Sequence, residues 1–294
     1  MADLDFAFDD DVFIQKAERK LPVVQTSYDA KEETDGWFHN FKDYESLMHE
    51  KLGPIQLKSA VEHDYLHKRY DRALEGALAY IKVVESGSVK ITTAREMCET
   101  AVHCAVRLGK FDVAGKLLDK TTSSSELGTL QLQGKVYPLC GRPRDGVAAL
   151  VRYNSVRRSD YQTYKQLALI FYNPEQVGCM CNHLARMCIE RARKIMTTTR
   201  WALNVEHVRR RYEHELQELD RKLDQIIKSG GESSCFVTWM QQQQRDAPIS
   251  AEQLATVDLD AYNPDDIEAI YKHLVKHNDD ATEDVNDSRN VREL

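Results

Sequence analysis

The chain has 294 residues and a mass of 33.8 kDa, with 42% hydrophobic and 30% charged residues and a formal net charge of −7. That length allows one large domain or two ordinary ones with a proper core, and the longest apolar run, Leu167–Tyr172, is far short of the ~18 residues of a membrane span. The acidic start Met1-Ala2-Asp3-Leu4-Asp5 lacks the basic region of a secretory or transit signal, and seven scattered cysteines read as reduced thiols, so the expected location is cytoplasm or nucleus.

Residues 1–44 read as an acidic arm. Over residues 1–50 there are 13 acidic and 5 basic side chains, a balance of −8. Two aromatic interruptions, Asp5-Phe6-Ala7-Phe8-Asp9-Asp10-Asp11-Val12-Phe13-Ile14 and Trp37-Phe38, resemble short linear motifs. Phe8, Phe13, Trp37 and Phe38 are therefore candidates for contacting a protein partner.

Residues 45–230 repeat one pattern: a helix, a short turn at Lys or Gly, then a helix with a small residue near its start. The turn segments are Lys68-Arg69-Tyr70-Asp71-Arg72-Ala73, Gly109-Lys110-Phe111-Asp112-Val113-Ala114 and Gly141-Arg142-Pro143-Arg144-Asp145-Gly146. Ala73, Ala114 and Gly146 would let paired helices approach closely, with Tyr70 and Phe111 plugging the gap. A fourth unit opens with the bulky, apolar, small and aromatic positions Tyr164, Leu167, Ala168 and Phe171 on one helical face. Its partner helix runs from Cys179 to Met196. Next, Trp201, Val205, Val208, Tyr212, Leu216, Leu219, Leu223 and Ile226 recur at threes and fours before Gly230-Gly231. That stripe predicts a long helix, either covering the end of the array or offering a coiled-coil surface.

Residues 231–294 read as a linker, one short amphipathic helix and an acidic tail. Asn263-Pro264-Asp265-Asp266 has a helix start's chemistry, with Pro in the first turn and acids at the positive end of the dipole. Ile267, Ile270, Tyr271 and Leu274 then share a face. Over residues 246–294 there are 13 acidic and 4 basic side chains, a balance of −9, and the tail beyond Asp279 has too few apolar residues to order itself.

These helix–turn–helix units resemble the tetratricopeptide (TPR) repeat of ~34 residues, through Ala73, Ala114 and Gly146 in the second helices and Tyr164, Leu167, Ala168 and Phe171 in a first helix. Spacings of 41 and 32 between the three small residues make the array irregular. The order of pieces from Phe8–Phe13 and Glu18-Arg19 through Trp37-Phe38, Tyr70–Leu74 and Tyr164–Phe171 to the late long helix resembles the animal family called chromosome 8 open reading frame 76. The resemblance implies TPR-like folding and protein binding, and brings no catalytic residue. The predicted fold class is all-α, an irregular TPR-like α-solenoid with a long C-terminal capping helix and acidic, partly disordered arms.

Chemistry is thinly represented. Cys179-x-Cys181-x-His183 and Cys188 lack the second distant ligand pair of a structural zinc site. His63 and His67 lie one turn apart around Asp64, as do His273 and His277, but neither pair is followed by the glutamate that zincin chemistry needs. Cys140 sits at a turn with no nucleophile motif around it. No enzyme, metal or cofactor is expected.

The central residues 51–245 carry 31 basic and 21 acidic side chains, a balance of +10. Arg142, Arg144, Arg152, Arg157, Arg158 and Lys165 lead into Arg186, Arg191, Arg193, Lys194, Arg200, Arg209, Arg210 and Arg211. A solvated face, pairing with the chain's own acidic arms, and a groove for acidic peptides all accommodate this pattern. Arg142, Arg144, Tyr153, Arg157 and Arg158 are the partner-binding candidates of the body. The expected function is a non-enzymatic protein-interaction adaptor or assembly factor. The alternative is nucleic-acid binding through the basic middle, with Tyr153, Tyr161 and Trp201 stacking on bases.

Overall fold

A computed structural model describes residues 34–175, 180–230 and 261–279 (backbone alone beyond Val275), with Phe236, Met240 and Leu259. The chain divides into two units, Met1–Trp37 and Phe38–Leu294. In the first, only residues 34–37 are described, and Trp37 is 74% exposed. Phe8, Phe13, Cys179 and the acidic tail beyond Asp279 lie outside the described residues.

Within the second unit every regular element among the described residues is helical. In chain order these are α1 (Tyr44–Met48), α2 (Gly53–Leu66), α3 (Tyr70–Glu85), α4 (Arg95–Arg107), α5 (Phe111–Asp119) and α6 (Leu127–Val136). There follow α7 (Pro143–Val156), α8 (Tyr161–Phe171), α9 (Met180–Thr198), α10 (Glu206–Ser229) and α11 (Pro264–Asp279), with a 3-10 turn at Pro138–Cys140 between α6 and α7. Most helices pack on the next in sequence: α2 on α3, α3 on α4, α4 on α5, α6 on α7, α8 on α9 and α9 on α10. The last, α11, returns to lie against α7 and α9.

One turn is built three times. Lys68, Gly109 and Gly141 take the left-handed conformation, with φ of 61°, 69° and 73°. The amides of the following residues, Arg69, Lys110 and Arg142, donate to the carbonyls of Asp64, Ala105 and Tyr137 at 2.8, 2.8 and 2.9 Å. This six-to-one bond satisfies carbonyls that a helix end leaves orphaned. The next helix begins one residue later, at Tyr70, Phe111 or Pro143. Five residues beyond each left-handed position stands the small residue, Ala73, Ala114 or Gly146, and all three are buried. At Gly146 the need is steric, since a Cβ would stand 2.8 Å from Cγ and Cδ of Pro138.

The aromatic plug differs between turns. Tyr70 is half-buried against the Tyr65 ring at 5.6 Å, whereas Phe111 is 38% exposed. Beside α5, Cys140 of the next unit packs over Gly115, and its Sγ donates to the Phe111 carbonyl at 3.2 Å.

Lys68 holds the left-handed turn with a Cβ, at a cost of about 1–2 kcal/mol that glycine avoids. Glycine gives back part of that gain through greater freedom in the unfolded chain. Lys68→Gly is therefore expected to stabilise the protein by roughly 0.5–1 kcal/mol, read as a higher urea midpoint. An unchanged or lower midpoint would reject the turn assignment.

The core forms two main clusters. One joins α1–α5 with the end of α6, from Leu47 and Leu57 to Leu132, Val136 and Tyr137. The other joins α7–α11, from Val147 to Leu274, and takes in Phe236, Met240 and Leu259. Between them Leu130, Ala149 and Tyr153 make a small third cluster, with Leu127 packed against it. The signature residues Tyr164, Leu167, Ala168 and Phe171 are all buried in the second cluster. On α10 only Leu219 and Ile226 are fully buried, and the helix stops where Gly230 turns to φ 65°. The predicted apolar face of α11 buries Ile267, Ile270 and Leu274.

Candidate functional site

A cavity of about 360 Å³ opens beside the small third cluster. Its walls come mainly from helix ends: the first half of α6 (Leu127, Gly128, Gln131), the last turn of α7 and the residue capping it (Tyr153, Arg157), the start of α8 (Tyr161, Gln162), the end of α9 and the residue after it (Ile195, Thr199), and Arg211 of α10. The connecting residues Ser159, Asp160, Arg200 and Trp201 complete it.

Local hydrogen bonding fixes these walls. Asp160 caps α8 by accepting the Gln162 amide at 2.9 Å, and its other oxygen accepts the Tyr153 hydroxyl at 2.7 Å. One carboxylate thus starts α8 and ties it to the end of α7. Beneath, Asn154 Nδ2 donates to the Tyr164 hydroxyl at 3.0 Å, and that hydroxyl donates to the Arg158 carbonyl at 3.2 Å. The turn carrying Arg157 and Arg158 is therefore held from the core. On the opposite wall Trp201 Nε1 donates to the Met196 carbonyl at 3.0 Å. The Trp201 ring meets Tyr161 edge-on, with centroids 6.2 Å apart, and lies 5.4 Å from Tyr212. Burial raises the Tyr161 hydroxyl above its ordinary pKa, so the ring is a neutral wall at physiological pH.

The basic candidates sort by what they touch. Arg142 bridges Asp119 at 2.7 Å and Asp145 at 2.6 Å and stacks on Tyr137 at 4.5 Å. Lys165 joins α8 to α10 through Glu215 and Glu218, both at 2.8 Å. Burial alone would lower its pKa, yet those two carboxylates hold it above the ordinary value. Arg193 pairs with Asp220 at 2.6 Å, Arg186 with Glu190 at 2.8 Å, and Arg210 with Glu206. Arg152 donates to the carbonyls of Thr122 and Ser124. Buried Arg191 stands over the Tyr164 ring at 5.9 Å. Arg157, Arg200 and Arg211 line the cavity, while Arg144 and Arg158 are exposed outside it. Tyr153, Arg157, Tyr161 and Trp201 are thus brought to one place. Arg200, next to Trp201 in sequence, and Arg211 of α10 join them, without a motif to link them.

Other clusters have structural explanations. His39, His63 and Asp64 bring potential ligand atoms within 4.8 Å of one another. Yet Asp64 Oδ1 lies 2.9 Å from Arg69 Nε and 3.3 Å from His39 Nε2, so a guanidinium already fills the cation's place. Phe38 packs against the His39 and His63 rings at 4.9 and 5.1 Å. His214, Glu215 and Glu218 form a second such group, with both glutamates engaged by Lys165.

Burial suppresses thiol reactivity at Cys104 and Cys188. It pushes the Cys104 thiol up to about 11 and raises that of Cys188 further, leaving almost no thiolate at neutral pH. Iodoacetamide at pH 7.5 is expected to leave Cys104 and Cys188 unmodified in the native protein and to alkylate both in urea, as read by peptide mass spectrometry. Rapid native alkylation of either would contradict their burial.

No helix among the described residues is long and apolar enough to cross a membrane. No known protein family, curated protein or solved structure matches the chain.

Proposed function

We propose that the protein is a non-enzymatic interaction adaptor of the cytoplasm or nucleus, built as an irregular TPR-like α-solenoid with α10 covering its end. Neighbour-on-neighbour helix packing and the thrice-built turn favour the solenoid, because repeat arrays bury their apolar faces mainly between adjacent units. The observation that carries the binding function is the arginine- and aromatic-lined cavity among the ends of α6–α10. Ligand sites of this kind combine an apolar wall with a few convergent polar groups, and arginine with aromatic residues is the composition enriched at protein-binding hot spots.

The nucleic-acid reading meets an obstacle in the same region. Glu206, Glu215, Glu218 and Asp220 intersperse the basic residues and neutralise several of them, so a polyphosphate strand would lie against carboxylates.

The test is affinity purification from nuclease-treated lysate, followed by reconstitution with the purified partner. The adaptor reading expects a protein that stays bound after nuclease and rebinds alone. Partners that vanish with nuclease, together with direct oligonucleotide binding, would overturn it.

A further inference from the structure

We infer that the cavity among the helix ends receives one anionic side chain of a linear peptide, carboxylate or phosphate, with the peptide's adjoining apolar surface resting on Tyr161 and Trp201. This assignment rests on the adaptor reading and specifies its ligand.

Charge complementarity is the first argument. Among the described lining residues the guanidinium groups of Arg200 and Arg211, with Arg157 beside them, meet one carboxylate, Asp160. Both oxygens of Asp160 already accept hydrogen bonds, from the Tyr153 hydroxyl and the Gln162 amide. Arg200 and Arg211 pair with no carboxylate among the described residues, although their neighbours Arg193 and Arg210 do. A guanidinium presents a planar fork that binds carboxylate or phosphate through two parallel bonds. Arginines left unpaired beside paired ones, facing into a cavity, favour an external oxyanion.

Size and wall chemistry select a peptide. About 360 Å³ is at the small end of ligand sites and suits one large side chain. Glu206 and Asp220, on the same helix as Arg211 and paired with Arg210 and Arg193, interrupt the basic stretch that a run of nucleotide phosphates would need. The Tyr161–Trp201 edge-to-face pair supplies a rigid apolar wall at little entropic cost. The site also lies at helix ends, so its ligand would contact connecting segments more than helical faces.

The test measures fluorescence anisotropy of labelled peptides with the full chain. One probe is Ala-Glu-Asp-Phe-Glu-Asp-Ala, and a second carries phosphotyrosine in place of Phe. A neutral Ala/Gln analogue and a thymidine oligonucleotide serve as controls. Arg200→Glu/Arg211→Glu is the test variant, because both side chains are exposed and folding should persist, as checked by circular dichroism and melting temperature. The expected result is that at least one anionic peptide binds, the neutral one does not, and the variant weakens binding at least about tenfold. Equal affinity for the two anionic peptides assigns the anion to carboxylate, and a preference for phosphotyrosine assigns it to phosphate. No binding of either, undiminished binding by the variant, or binding of the oligonucleotide alone would overturn the assignment. If the peptides fail while a nuclease-resistant partner still binds, the adaptor reading stands and only the pocket's role falls.

Discussion

Phe171→Ala is expected to destabilise the protein by about 3–5 kcal/mol, with a fall in melting temperature of roughly 10 °C for a domain of this size. Phe171 is the last residue of α8 and is buried in the second core cluster. Its ring meets Tyr262 edge-on with centroids 5.0 Å apart, and the Tyr262 hydroxyl donates to the neighbouring Ile170 carbonyl at 3.4 Å. Truncation would therefore leave a cavity and remove the surface on which the residues leading into α11 rest. Burial also pushes the Tyr262 hydroxyl up to about 12, so the contact stays neutral through the physiological range. Leu169→Ala is the control. That residue is 40% exposed on the same helix and should cost under about 0.5–1 kcal/mol. Urea denaturation of both variants checks the claim, and similar losses would contradict the burial pattern of α8.

Asp64→Ala is expected to cost about 1–3 kcal/mol, because it removes the shared acceptor of Arg69, Arg72 and His39 and leaves the buried Arg69 Nε without that carboxylate. The Asp64 side chain is 6% exposed, with Oδ1 facing Arg69 and His39 and Oδ2 lying 3.5 Å from Arg72 Nε. Arg69 also holds His63 Nδ1 at 2.8 Å, so the cluster links the Trp37–His39 turn's His39 to α2, α3 and the first left-handed turn. Replacing Asp64 and Arg69 together with Leu should recover much of the loss, since an apolar pair leaves no orphaned charge. Equal costs for the single and double variants would show that the site needs its charges for another reason.

What the sequence revealed was local. Lys68, Gly109 and Gly141 were readable as turns because a helix end asks for particular chemistry within a few residues. Tyr164, Leu167, Ala168 and Phe171 were readable because one helical face repeats at threes and fours. The role of Asp64 was hidden: in the sequence it stood only between His63 and His67, whereas its partners Arg69 and Arg72 follow the turn and His39 comes from a preceding segment. The cavity was hidden for the same reason. Its walls run from Leu127 to Arg211, and the sequence signal was no more than Tyr153, Tyr161 and Trp201 among arginines. Nor could charge counting separate Arg142, tied to Asp119 and Asp145, from Arg200 and Arg211. The basic excess of the central residues is a sum over side chains with different environments, and only the geometry separates them.

The most direct test of the cavity as a peptide-binding site compares the wild type with Arg200→Glu/Arg211→Glu in retaining the purified, nuclease-resistant protein partner on an affinity matrix. The variant is expected to lose the partner while keeping its melting temperature. Full retention by a folded variant would contradict it.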